Sequence, residues 1–249
     1  MSDSTISMNS FFNTLLRFSG LVTLLAAGLN QPLLALDTGS GGQSAFTTSA
    51  IDPRRASPEA ALAALKAGNH RFANSQVVDH KDNFKRVMAT AAAQYPIASV
   101  IGCADSRTPP EVIFDLGLGE LFVCRVAGVA SGINDVASLE YGSEHLGVPL
   151  IVVLGHTNCG AMKAAIADQP LPGSLPHLID SIRPAVVLAR KEHPNADASE
   201  LLQASTKAMI LSEIKKLEAS PVLHELIHEG KLKIVGGIYS VEDGKVTWL

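Results

Sequence analysis

Residues 149–160 read Pro-Leu-Ile-Val-Val-Leu-Gly-His-Thr-Asn-Cys-Gly. Positions 149–154 form a nearly unbroken aliphatic run, which suits a strand covered on both faces in the middle of a parallel sheet. The run delivers Gly155-His156, and Cys159-Gly160 then opens a helix expected over 161–167. A second apolar run, 97–101, ends in the same way at Gly102-Cys103. Open parallel sheets place their sites at the carboxyl ends of strands, so these two stretches set both the fold class and the place to look for chemistry.

Outward from that core, strands and helices alternate. Ser57-Pro58-Glu59 is an N-cap with proline at the first helical position, and Ala61, Leu62, Leu65 and Phe72 fall on one face of the helix behind it. A second helical stretch is expected over 84–94, stopping before Pro96. Pro109-Pro110-Glu111 begins a helix, 120–125 is a strand, and 134–146 is a helix closed by Gly147. Two helices are expected over 177–191 and 199–217, a short one over 221–228, and a strand over 231–239. A turn at 242–245 leads into 246–249. The expected fold is α/β, with a central, mostly parallel β-sheet flanked by helices and an N-terminal helical arm. The sequence has no internal repeat, no G-x-G-x-x-G and no P-loop.

The first 36 residues read differently. Arg17 precedes an apolar run at 21–29, of signal-peptide length and short for a membrane span. Met8 offers a second start, and Ala26-Ala27-Gly28 fits the small-residue rule for cleavage. Residues 1–36 are therefore expected to be a signal peptide, with an uncleaved anchor and a folded helix as alternatives. Export would place the chain in the periplasm or outside the cell. Residues 37–55, rich in Gly, Ser and Thr around Gly39-Ser-Gly-Gly42, read as a flexible linker, and 56–249 as the folded domain.

Among the 249 residues, 47% are hydrophobic and 18% charged, enough for a real core and against disorder. The formal charge of −4 and the lack of any Lys/Arg run argue against nucleic acid as a partner. Three cysteines exclude a disulfide framework. Cys124, in the apolar run Leu121-Phe-Val-Cys124, reads as a small buried hydrophobe.

The chemistry lies in Cys103-Ala-Asp105-Ser-Arg107 and His156-Thr-Asn-Cys159. Two thiolates and an imidazole suit tetrahedral zinc and leave one corner open, as in catalytic sites, where structural zinc is closed by four ligands. Asp105 and Arg107 put a carboxylate and a fixed cation beside that corner. Cys159 at a helix N-terminus is placed where the dipole favours a thiolate.

At these residues the chain resembles the β-class carbonic anhydrases. The resemblance is carried by Gly102-Cys-Ala-Asp-Ser-Arg-Thr-Pro-Pro-Glu111, Gly119-Glu-Leu-Phe-Val-Cys-Arg-Val-Ala-Gly128 and Leu154-Gly-His-Thr-Asn-Cys-Gly160. It extends more weakly from Ser57 to Leu249. It implies Cys103, His156 and Cys159 as zinc ligands, Asp105 and Arg107 as a catalytic dyad, and a homodimer or tetramer with the site at the subunit interface. It also implies reversible hydration of CO2 by a zinc-bound hydroxide, with bicarbonate as product. Two positions depart from the pattern: Val100 stands where members with a non-catalytic bicarbonate pocket carry Trp, although Arg125 matches that pocket's basic residue, and Val129 stands where Asn is frequent.

Asp105 has two expected roles: accepting a hydrogen bond at the open corner, or closing it as a fourth ligand. A bidentate bond from Arg107 would hold it off the metal. Two thiolates cancel the ion's formal charge, so activity is expected to develop on the alkaline side of neutral. His145 and His177 read as solvated helix residues or proton relays, and Tyr141 as packing. The alternatives are a hydrolase of a CO2-like molecule, such as carbon disulfide or carbonyl sulfide, on the same site, and a non-catalytic zinc-binding module. No organic cofactor is implied.

Overall fold

The computed structural model of the chain describes residues 52–80 and 82–249. The expected signal peptide, and the linker up to residue 51, lie outside them. The last four linker residues are not free, which corrects the boundary. Pro53–Arg55 form a turn of 3-10 helix capped by Asp52, Arg54 pairs with Glu120 at 2.6 Å, and Arg55 Nη2 donates to the Leu146 carbonyl. Asp52–Arg55 therefore belong to the folded domain. Ion pairing across the fold, which composition does not report, overrides the linker-like composition.

Helix α1 (Pro58–Ala73) starts as expected, with Ser57 Oγ accepting from Ala60 N at 3.1 Å. Helix α2 (Phe84–Thr90) is a turn shorter than expected. The intervening residues 91–95 are non-helical, and Pro96 biases Tyr95 toward extended backbone ahead of β1 (Ala98–Gly102). A single turn, α3 (Pro110–Ile113), leads to β2 (Leu121–Arg125). After a 3-10 turn at Ala127–Val129 come α4 (Ile133–Glu144) and β3 (Leu150–His156). The order continues with α5 (Gly160–Ala167), α6 (Leu175–Glu192), α7 (Ala198–Glu218), α8 (Pro221–His228), β4 (Lys233–Tyr239) and β5 (Val246–Trp248).

The sheet runs β2-β1-β3-β4-β5, with the first four strands parallel and β5 antiparallel to β4. All seven residues of β3 are buried, as its aliphatic run requires of a central strand. One face of the sheet packs Val100, Val152 and Leu154 against Ala61 and Leu65 of α1 and Phe114. The other packs Ile101, Ile151 and Val153 with Ile182 of α6 and Ile210 of α7. Alternate strand residues thus face opposite layers, and the carboxyl ends of β1 and β3, neighbours in the sheet, open at the same edge.

Asp115 ties α1 to the β2 side of this frame. It is buried, and its carboxylate accepts from Arg71 Nε and from Val78 N, with His80 Nε2 at 3.1 Å. Burial raises its pKa, but Arg71, His80 and the Val78 N–H more than offset that, leaving it below its ordinary value. Asp115→Asn is expected to cost about 2 kcal/mol, the scale of losing a hydrogen bond to a charged group, because a neutral amide replaces the buried carboxylate. A depressed folded pKa gives stability that is present above the unfolded value of about 3.9 and lost as pH falls through the folded one. Urea unfolding of wild type and variant should therefore differ most at neutral pH and converge below about pH 4. A gap independent of pH would contradict this.

Candidate active site

Two strand ends and a helix N-terminus deliver the site residues. Cys103 follows β1, His156 is the last residue of β3, and Cys159 caps the N-terminus of α5. All three are buried, and their ligating atoms lie within 4.8 Å of one another. The turn between His156 and Cys159 needs Asn158 at φ 57°, a conformation Asn tolerates better than most residues.

The donor set fits a zinc ion on two independent observations. His156 Nδ1 donates to the Thr157 carbonyl at 2.8 Å, which leaves Nε2 as the ring's lone-pair nitrogen. That Nε2 is buried and has no hydrogen-bond partner. A buried acceptor left unpaired is costly and calls for an electrophile. The second observation concerns the sulfurs. Hydrogen bonds from Cys159 and from the Asp105 and Gly128 amides hold the Cys103 thiol far below its ordinary value. Cys159, facing that thiolate and buried, is pushed up. Two sulfurs this close carry two negative charges only with a cation between them.

Asp105 and Arg107 meet beside this cluster. Arg107 Nε reaches Asp105 Oδ1 at 2.9 Å and Nη2 reaches Oδ2 at 2.8 Å, while the Arg107 amide also donates to Oδ1 at 3.0 Å. This bidentate bond holds the Asp105 carboxyl well below the usual carboxylate range against the penalty of burial. Oδ2 lies 3.9 Å from His156 Nε2, so the carboxylate borders the cluster while both its oxygens face Arg107.

Three supporting residues escaped the sequence reading or were given other work by it. Arg125 bonds the carbonyls of Cys103 and Asp105 and so braces the loop between them. Gly128 N donates to Cys103 Sγ at 3.4 Å, with Val129 rather than Asn following it. Val129 sits at φ 62°, a conformation that costs a β-branched residue about 1–2 kcal/mol. Glu242, in the turn before β5, accepts from Thr157 Oγ1 at 2.6 Å and from Asn158 Nδ2, fixing the loop between His156 and Cys159. Glu242 lies more than eighty positions from that loop, so no local spacing could flag it. Cys124 is half-buried on the outer strand β2 rather than a core residue, because an edge strand leaves one side uncovered. Val100 is fully buried in β1. His177 is exposed on α6 and His145 at the C-cap of α4, and the Tyr141 ring lies tilted between those of Phe122 and His145.

Residues 98–246 match the carbonic anhydrase family, well over half of the chain. The chain belongs to the β-class carbonic anhydrases. Carbonic anhydrase 2 of Mycobacterium tuberculosis is 40% identical over 201 residues, covering 76% of this chain and 92% of that protein. The carbonic anhydrase of Synechococcus elongatus is 33% identical, covering 73% of this chain and 69% of its own. Among solved structures, one of two tetrameric β-carbonic anhydrases from Sordaria macrospora aligns with a TM-score of 0.62 at 27% identity, over 77% of this chain and 95% of that one. The Coccomyxa β-carbonic anhydrase, solved in complex with acetazolamide, aligns with a TM-score of 0.62 at 28% identity, over 76% and 86%. Membership makes the chain an enzyme, a carbonic anhydrase of the lyase class, and sets aside the non-catalytic module.

Proposed function

We propose that this β-carbonic anhydrase interconverts CO2 and bicarbonate at a zinc ion held by Cys103, His156 and Cys159. The observation that carries the reading is the unpaired, buried Nε2 of His156, set beside two sulfurs and faced by a carboxylate that Arg107 holds back. Zinc bound there supplies Lewis-acid activation of water toward the CO2 carbon.

The remaining work belongs to the chain. Asp105 Oδ1 already accepts two hydrogen bonds from Arg107, whereas Oδ2 accepts one. Oδ2 is therefore the atom with capacity to accept a proton or a hydrogen bond from water at the site. Arg107 keeps that oxygen charged and aimed, and withholds it from the fourth ligand position. Arg125 fixes the backbone from which Asp105 projects.

Stopped-flow CO2 hydration by the purified chain tests this directly. Turnover of carbon disulfide or carbonyl sulfide without CO2 hydration would overturn the choice of substrate. Glu242→Ala is expected to lower turnover about tenfold by freeing the Thr157–Asn158 turn, the scale typical of losing a ligand's supporting partner. The same assay on the variant checks it, and unchanged turnover would remove Glu242 from the account.

A homodimer or tetramer is part of the proposal. Phe84, Val87 and Met88 of α2 are exposed, as are Tyr95, Val112 and Leu118, and β2 is an edge strand. So much uncovered apolar surface beside an open edge suits a second copy. Residues 1–36 are proposed as an export signal, from the apolar run at 21–29. Among the described residues no helix is long and apolar enough to cross a membrane.

A further inference from the structure

Gly128 and Val129 sit one after the other at positive φ, 65° and 62°. Glycine accepts that freely, whereas a β-branched residue must be held there by its surroundings. The conformation has a consequence at the site, since it is in this turn that the Gly128 N–H points at Cys103 Sγ. A Cβ on Gly128 would meet Ile182 Cδ1 at 2.5 Å, so the turn also lies hard against α6.

Two residues further on, Ser131 is gripped from α7. The Glu213 side chain is 2% exposed, and its Oε2 accepts both the Ser131 amide, at 3.3 Å, and the Ser131 hydroxyl. Lys216, one helical turn along, reaches Glu213 Oε1 at 2.6 Å, the Ser131 carbonyl at 3.0 Å and the Ser131 hydroxyl oxygen at 3.3 Å. The hydroxyl and carbonyl of Ser131 thus end on α7, while its amide is shared between Glu213 and the Val129 carbonyl at 3.0 Å, inside the same turn. A carboxylate buried this deeply is costly unless it is paired, and CO2 hydration gives Glu213 no direct task.

We infer that Glu213, with Lys216, is a positioning device for Cys103. It anchors Ser131, that anchor fixes the Gly128–Val129 turn, and the turn keeps an N–H donor on the sulfur. The donor draws charge from the thiolate and restrains its position. The inference rests on the reading of Cys103 as a metal ligand. Glu213 touches neither ligand nor substrate and acts only through the turn.

The test uses Glu213→Gln, which ends the ion pair with Lys216, and Ser131→Ala, which removes the hydroxyl but should fold readily. Leu217→Ala is the control, a fully buried residue on the same helix outside this hydrogen-bond network. Both clamp variants are expected to speed amide exchange at Gly128 about tenfold and zinc release about tenfold, measured where the proteins are folded. The control should lower Tm without moving either readout. Wild-type exchange and zinc release in the clamp variants would overturn the inference, as would equal changes in the control. Amide exchange needs no metal, so a chain that took up no zinc would sink the metal-site reading while Gly128 still decided the clamp.

Discussion

Cys159→Ser is expected to leave a folded chain that has lost its zinc and hydrates CO2 at the background rate. A serine hydroxyl stays protonated at neutral pH, so the substitution removes a charged ligand and leaves only Cys103 and His156 as protein donors. Losing a partner that merely supports a ligand costs roughly 10–100-fold in metal affinity or activity, and losing the ligand itself should exceed that. The fold should survive for a local reason. Cys159 occupies the N-cap of α5 with no side-chain cap bond, and serine is among the preferred residues there. A cap bond of about 0.5–2 kcal/mol offsets the burial of a hydroxyl. Circular dichroism and metal analysis of one preparation check both halves. A folded variant that retained zinc and turnover would remove Cys159 from the ligand set.

Arg107→Ala should do the opposite to the metal and nearly the same to the rate. Arg107 is exposed and touches none of the three ligand side chains, so zinc content and fold should be retained. What is lost is the fork on Asp105. The freed carboxylate lies 3.9 Å from the ligating nitrogen of His156, close enough for a side-chain rotation to bring it into the open corner. Its pKa, held down chiefly by the Arg107 hydrogen bonds, should also rise toward the ordinary range. A loss of about 100-fold or more is expected, the scale of removing one preorganised charge-stabilising donor. Arg107→Lys should recover little, since an ammonium supplies charge without two parallel bonds. Stopped-flow assays beside zinc analysis decide it. Near-wild-type turnover in Arg107→Ala would take the pair out of the mechanism.

How far the sequence could be read depended on whether the cause was local. The run before His156 has one comfortable home, a covered parallel strand, and that alone places His156 and Cys159 at its carboxyl end. Ser57-Pro58 started α1 by cap chemistry contained in two residues. The Asp105–Arg107 bond was legible because it spans two positions. The place of Asp52–Arg55 in the domain was not, since the ion pair from Arg54 to Glu120 crosses 66 residues. The same holds for Glu242 on Asn158 and Glu213 on Ser131, where partners more than eighty residues apart meet only once the sheet has formed. The candidate site residues are thus written in short motifs, and their supports in tertiary contacts.

On the proposed function, Cys103, His156 and Cys159 hold one zinc whose fourth position is left free for the reaction. Stripping the full chain of metal and adding zinc back stepwise, with CO2 hydration followed in the same samples, tests this. Turnover should be absent at the start, rise in proportion to bound zinc and level off at one zinc per chain. Hydration by the stripped chain, or a chain with one zinc at these three residues and no turnover at any pH, would contradict it.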